Sequence, residues 1–366
     1  MKRCGGMKRL MAAWLALLLG PLLAFGQEGV AGFEAPVTIS GGGFFTERTA
    51  QAPRSASRFT AGTRAVVYPT VRLNENWFFA GAVQFHSRPY FYQEFETQGY
   101  GAEVDVLQGY AGYERFWGRN AVTIRAGQLS SAFGSFLLRY DDAVNPLIDI
   151  PLSYGYYTSP VTNLGLMGAQ VDVTLDRFDM RAQFTNSSPA NRRSVFEHDQ
   201  YGVWTGGAGY TIRQGLRVGA SIYRGPYLHR EFQYYFPGEA RPKDLPASGY
   251  GLDGEFARGH WNFRGELHRF QAAYKAIPTV NRFFGYGEAK YAFHPRWYAA
   301  VRVNHGHSNV RPDQDVLELA VGYRPNRRQL LKVGYQFVNG SPRDGAPGDV
   351  FAIQLVTNLK PISLSW

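Results

Sequence analysis

Cysteine is nearly missing from this 366-residue chain: the one residue of its kind is Cys4. It lies ahead of an apolar run at residues 10–25 that reads as an export signal, so the mature chain is expected to carry none. Disulfides, thiolate metal sites and cysteine nucleophiles are thereby excluded. Long hydrophobic runs are also lacking. Past residue 26 no apolar stretch is long enough to cross a bilayer as a helix. Charged residues make up only 19% of the chain, and no run of Lys and Arg offers a nucleic-acid footprint. The sequence has no Gly-x-Ser-x-Gly elbow, P-loop, His-Glu-x-x-His pair or dinucleotide fingerprint, so the enzyme classes that announce themselves locally have no signature.

What is abundant points elsewhere. Aromatics reach 15%, with 26 Phe and 23 Tyr, beside 42 Gly, at a mean hydropathy of −0.29. That mixture is too aromatic for a disordered chain and too polar for helical spans; it suits many short strands joined by tight turns. Lys2, Arg3, Lys8 and Arg9 precede the apolar run, and Ala24-Phe25-Gly26 puts small residues at the −3 and −1 positions. Residues 1–26 are therefore expected to be cleaved, leaving 27–366. Met7 opens a complete signal by itself. The leader holds four of the 39 basic residues, leaving 35 against 29 acids, a modest +6.

Segments of alternating polarity come in pairs with short links: 59–72 with 77–86, 101–116 with 121–128, 164–175 with 178–186, 201–212 with 216–223, 250–257 with 261–270, 283–293 with 297–305, and 316–323 with 330–337. The short links carry Gly, Asn, Asp or Pro. Between the pairs the links are longer and more polar, as at 88–98, 187–199, 224–248 and 339–348. A first strand at 37–45 and a last at 350–359 bring the count to sixteen; fourteen or eighteen stay open. Long loops on one rim and short turns on the other predict a transmembrane antiparallel β-barrel with both termini on the short-turn side. The faces agree: Phe178, Met180, Ala182 and Phe184 alternate with Asp179, Arg181, Gln183 and Thr185. A charge facing lipid at mid-depth costs roughly 2–4 kcal/mol, so the charged faces are assigned to a wet lumen. The alternative is a β-sandwich or β-helix, whose faces would need a dry core.

By parity, Arg64, Arg125, Arg181, Arg217, Arg264, Arg302, Lys290, Lys332, Glu266, Glu288 and Glu318 line the lumen. Trp77, Phe78, Tyr113, Trp117, Trp261, Phe293 and Trp297 sit near strand ends, as interfacial girdles require. After Pro361 the apolar residues switch parity, which fits a strand with a bulge at the proline or a short periplasmic tail. His305 and His307 share a face but have no third ligand nearby in sequence and are read as plain exposed histidines.

Residues 129–161 break every pattern. They are rich in Leu, Phe, Tyr and Ile, are interrupted by Pro146, Pro151 and Pro160, and carry Arg139, Asp141, Asp142 and Asp149. A loop of about thirty residues in a compact fold is usually functional. In the strand count it is the third link of the long-loop rim. Phe136, Leu137 and Leu138 are expected to pack on the inner wall, with the three aspartates facing water. Basic wall residues opposite those aspartates would set a transverse field on passing solutes.

Over its mature length the chain resembles the bacterial outer-membrane porin superfamily, in whose sixteen-stranded members the third loop folds inward and narrows the channel. Gly127-Gln128 and Phe133-Gly134, following the strand at 121–128, resemble the phosphate-selective porin O/P family, though Ala132 stands where proline is common. With Arg139 alone against three aspartates, phosphate selectivity is not carried over. The resemblance implies a passive channel for small hydrophilic solutes and ions in the outer membrane of a Gram-negative cell, with outer-membrane lipids around it and no cofactor or metal. It also implies an assembly signal at the terminal Trp366, and raises a homotrimer. Rival readings are a surface receptor or adhesin using the aromatic, charged link at 224–248, and a hydrolase embedded in a barrel.

Overall fold

The computed structural model describes residues 31–46, 59–88, 101–154, 165–186, 202–226, 247–274, 278–340 and 348–365. The leader, Trp366, positions 155–161 and most of the 224–248 link lie outside the described residues.

Sixteen strands form one antiparallel sheet. β1 runs over Gly32–Ala35 and Val37–Thr46, β2 over Phe59–Val67 and Thr70–Arg72, β3 over Trp77–Arg88, and β4 over Gly101–Trp117. β5 is Asn120–Leu129, β6 Leu166–Leu175, β7 Phe178–Thr185, β8 Val203–Arg213 and β9 Leu216–Gly225. β10 is Ala247–Arg258, β11 Trp261–Ala272, β12 Val280–His294 and β13 Trp297–Ser308. β14 is Arg311–Asn326, β15 Gln329–Gly340, and β16 covers Val350–Asn358 and Ile362–Ser365. Each strand pairs with its sequence neighbours. β16 returns to β1, with Val350 opposite Thr46 and Ile362 opposite Ala35, so the sheet closes into a barrel. Among the described residues, no helix is long and apolar enough to cross a membrane, and the chain needs none: a closed barrel satisfies its backbone between strands.

Three strands are interrupted beside prolines. Pro lacks the N–H that a ladder position must donate. At Pro36 and Pro69 only the carbonyls join the sheet, accepting from the amides of Tyr68 (3.0 Å) and Gly81 (2.9 Å). After Pro361 the last strand resumes against Gly32–Ala35. The parity switch is thus a broken strand and not a tail, and Leu359, Ile362 and Leu364 stay exposed.

Along β16, Val350, Ala352, Gln354 and Val356 are buried while Phe351, Ile353 and Leu355 are exposed; β13 and β14 alternate likewise. Exposed apolar residues therefore form the outer face, and the opposite face turns to the barrel interior. Trp77, Trp117, Trp261, Phe293 and Trp297 ring the short-turn rim, with Trp297 on Tyr323 at 4.3 Å and Trp77 on Tyr113 at 5.1 Å between centroids. Phe78 does not join them. It is one residue out of phase with Trp77 and points inward.

The last hairpins also differ from expectation. The alternation read from sequence starts a strand only at 316, yet β14 starts at Arg311, with two residues between it and the end of β13 at Ser308. The stretch has no apolar alternation to mark it as strand. Cross-strand pairs hold it instead: His305 with Asp315 at 2.7 Å and His307 with Asp313 at 2.6 Å, all four exposed.

Two inward aromatics lie over glycines on the neighbouring strand. Phe78 faces Gly112 and Tyr298 faces Gly322 across the ladder, and a Cβ at either glycine would enter the ring. Overpacking of this kind costs roughly 1–3 kcal/mol. Gly322→Val is expected to lose that much in urea unfolding of the refolded barrel. Gly287→Val, where a Cβ meets nothing within 4 Å, is expected to stay within about 0.5 kcal/mol of the parent.

Candidate functional site: a segment clasped by interior charges

Two glycine-dependent steps lie near the end of β5 and just after it. Gly127 has φ +138° and Gly134 φ +71°, both in the region that disfavours a side chain. At Gly134 a Cβ would also collide with the Tyr154 hydroxyl and lie 2.8 Å from Glu266 Oε2. The chain then makes two short 3-10 turns, Phe136–Arg139 and Leu152–Tyr154. Such a stretch leaves many backbone groups without ladder partners, and buried ones need substitutes. The interior side chains of the barrel supply them.

Three wall charges do most of this. Glu266 on β11 accepts from Ser135 N (3.0 Å), Ser135 Oγ (2.9 Å), the Tyr154 hydroxyl (2.5 Å) and the Tyr286 hydroxyl (2.6 Å), with His268 Nε2 at 3.0 Å. Burial beside that carboxylate pushes the Tyr154 phenol well above its ordinary pKa, so it stays a donor. Arg302 on β13 is fully buried. It donates to the Asp149 carbonyl (2.9 Å) and Asn145 Oδ1 (3.0 Å), and pairs with Glu288 (2.8 Å) and Glu318 (3.1 Å) from the flanking strands. Lys332 on β15, equally buried, donates to the carbonyls of Asp142, Asn145 and Leu147 at 2.8–3.0 Å. Its three donors match three backbone acceptors.

Other strands contribute. Arg64 on β2 pairs with Asp142 at 3.3 Å and lies over the Tyr140 ring at 4.5 Å; Ser40 on β1 also bonds to Asp142. Arg181 on β7 donates to the Gly134 carbonyl, and Gln183 beside it accepts from Ala132 N (3.1 Å) while donating to the Ser130 carbonyl (2.7 Å). Ser221 on β9 accepts from Gly134 N at 3.2 Å. Apolar contacts follow the same route. Leu147 and Ile148 join the small interior side chains Ala300, Ala320 and Ala352 of β13–β16. Phe136 packs between Tyr154 and Tyr286. Burying a side chain of that size contributes about 1.5–3 kcal/mol.

The aspartates contradict their expected place in water. Asp142 and Asp149 are 2% and 3% exposed. Asp141 bonds to the Tyr68 hydroxyl and caps Ala143 N at 2.8 Å. Asp142 is neutralised by Arg64 on the adjoining wall and does not face it across open water. At Asp142 the transverse field between a basic wall and an acidic loop therefore fails: that carboxylate and Arg64 are paired. Phe136 packs on the wall as expected and Leu137 joins Val66, Ala82 and Leu107; the side chains of Leu138 and Arg139 lie outside the described residues.

The remaining wall charges pair among themselves. Arg217 bridges Asp179 (2.6 Å) and Asp253 (2.7 Å), Arg264 pairs with Glu255 (2.8 Å), and Arg125 with Asp172 (3.6 Å). Lys290 lies over the Tyr298 ring at 4.5 Å. Charge and parity pick out the ionic wall residues, but they pass over Gln183, Ser221, Asn304 and Tyr298, which hold the segment as neutral donors and acceptors, and Tyr286, whose ring packs on Phe136. Tyr298 donates to the Pro146 carbonyl at 2.9 Å, and Asn304 Oδ1 accepts from Leu152 N at 3.1 Å. Their interior parity was the available signal.

No family model and no curated protein matches the chain. Solved structures do match its fold. The trimer form of OmpT, an outer membrane protein of Vibrio cholerae, is 14% identical over 90% of this chain and 100% of its own, at a TM-score of 0.58. Salmonella typhi OmpF, in complex with daunomycin, is 11% identical over 89% and 97%, at 0.59. The outer membrane channel DcaP of Acinetobacter baumannii is 9% identical over 92% and 99%, at 0.60. At such identities the likeness is one of fold: a closed sixteen-stranded antiparallel barrel.

Removing one partner from a buried ionic group costs about 3–5 kcal/mol, because the other charge is left uncompensated. Arg302→Met is expected to lose that much in urea unfolding. Adding Glu288→Gln and Glu318→Gln is expected to recover part of it; a triple variant no more stable than the single would show that Arg302 does not hold those carboxylates.

Burial, followed by the nearby Glu318 carboxylate, pushes Asp149 up to about 7 from 3.8, against the pull of Ile150 N–H and Arg302. Between those values the folded state holds a proton that the unfolded state has released. Stability therefore falls as pH rises from about 4 to about 7. Asp149→Asn is expected to match the parent near pH 4 and to exceed it at pH 8, read as the shift in urea midpoint.

Proposed function

We propose that this chain is an outer-membrane diffusion channel for small hydrophilic solutes and ions, narrowed by the segment that follows β5, described to residue 154. The observation that carries the reading is a closed barrel, apolar outside and charged inside. Its interior holds a segment bonded to wall side chains on β1, β2, β7, β9, β11, β13 and β15. A segment tied to so many strands of one closed sheet occupies part of the cross-section it encloses. What stays open is walled by the half-exposed pairs of Arg217, Arg264 and Arg125. Exposed pairs of this kind add little stability, and their use is to keep water and ions favourable in the lumen.

The apolar outer face and the aromatic rim suit a bilayer, and the basic, apolar leader suits export across an inner membrane. With the termini on the short-turn rim, that rim faces the periplasm. Gly127-Gln128 and Phe133-Gly134 set the chain beside the phosphate-selective porin O/P family without its phosphate preference. We extend the trimer of the Vibrio cholerae OmpT structure to this chain as an expectation.

Recording in a planar bilayer under a salt gradient tests the reading. Discrete conductance steps are expected, and their absence at any voltage would overturn it. Arg217→Gln leaves Asp179 and Asp253 without their cation and is expected to move the reversal potential toward cation preference.

A further inference from the structure

A second group of chemistry-bearing side chains lies on the interior face, away from the clasped aspartates. His86 on β3 stands opposite Glu103 on β4 in the ladder, and Asp105 lies two residues further along the same face. One ligand atom from each of the three falls within 4.8 Å of the others. His86 Nε2 is 3.0 Å from Asp105 Oδ2 and 3.9 Å from Glu103 Oε2.

The imidazole orientation gives this meaning. Its Nδ1 lies 3.0 Å from the Ser87 carbonyl oxygen. A carbonyl only accepts, so Nδ1 carries the proton. In the neutral ring Nε2 then presents a lone pair, and it presents it to carboxylate oxygens that are also acceptors. Two such atoms 3.0 Å apart are joined by a proton or by a metal cation. A proton serves two atoms; three converging atoms fit a metal ion. A histidine that ligates through one nitrogen and donates its other N–H to a backbone carbonyl is the usual outer-shell arrangement of metal sites. The second shell extends further. Gln84 Nε2 reaches Asp105 Oδ2 at 3.5 Å, and its own carbonyl accepts from Arg64 Nε at 2.7 Å.

We propose that His86, Glu103 and Asp105 form a binding site for a borderline first-row divalent cation, of which Zn2+ is the representative. One imidazole nitrogen with two carboxylates favours zinc-class ions over calcium and magnesium, which take oxygen donors. Ligand atoms around a tetrahedral zinc lie about 3.3 Å apart. The Nε2–Oδ2 distance is already near that value, and Glu103 Oε2 lies 3.9 Å from the same nitrogen. His86 is buried and anchored, while both carboxylates are about one-third exposed, so an ion reaches the site from the lumen. Three protein ligands leave a fourth position for water or for a solute carrying an anionic group. The site does not depend on conduction, so a barrel that proved not to be a channel would leave it intact.

The test is equilibrium dialysis of the refolded, untagged protein against Zn2+, repeated with Co2+, whose visible absorption reports tetrahedral nitrogen and oxygen ligation. One Zn2+ per chain is expected. His86→Ala and the pair Glu103→Gln with Asp105→Asn are each expected to weaken binding by at least about tenfold. His305→Ala with His307→Ala, which removes the exposed histidines on the outer face, is expected to leave it unchanged. Heat-shifted gel mobility verifies that each variant is folded, and His86→Gln replaces His86→Ala if that variant does not refold. No bound zinc in the parent, binding undiminished by loss of His86, or binding lost only with His305 and His307 would each overturn the proposal.

Discussion

The pairing of the first strand with the last is the constraint from which the rest follows. Once Val350 stands opposite Thr46 and Ile362 opposite Ala35, the sheet has no edge and every strand has two neighbours. A closed sheet has two unlike faces, and the period of two along a strand then fixes which side chains point outward and which point into the barrel. The proline breaks at Pro36, Pro69 and Pro361 are tolerated because they fall near one rim, where ladder bonds to neighbouring carbonyls resume within a residue or two.

Inside, the difficulty is reversed. An irregular segment of some twenty-five residues has backbone donors and acceptors that no ladder satisfies, in a space lined by charge. The wall answers group for group: a carboxylate at Glu266 where amides and hydroxyls converge, an ammonium at Lys332 where carbonyls converge, a guanidinium at Arg302 where both kinds meet. Arg302 also accounts for the flanking Glu288 and Glu318, since an isolated buried cation would be costly. The charges that read as a selectivity wall serve first as the mounting of the segment. The charges that still face open space are the half-exposed pairs on other strands.

Much of this was legible in the residues. Alternation at 178–184 with 179–185 marks a strand with a wet and a dry face, and the Asp176-Arg177 link between two such segments marks a hairpin; Asp176 indeed takes a positive φ there. Where the local signal was absent, reading failed. Residues 311–315 carry no apolar alternation, and their strand is held by cross-strand histidine–aspartate pairs. Phe78 was grouped with Trp77 as a girdle residue, although adjacent strand residues point to opposite faces. Asp142 and Asp149 looked solvated because aspartate in a proline-interrupted loop usually is; their partners Arg64, Arg302 and Glu318 lie far away in the chain.

The sequence by itself determined the barrel and its two faces, because these depend on short-range periodicity and turn residues that repeat along the chain; between fourteen, sixteen and eighteen strands, the closure of the sheet decided for sixteen. Only the tertiary structure decided which wall charges are spent on the segment after β5 and which remain open. It also decided that His86, Glu103 and Asp105 share one point in space. Those outcomes depend on strand register and on contacts between residues some 17 to 190 positions apart, such as His86 with Glu103 and Lys332 with Asp142. No local pattern carries that information.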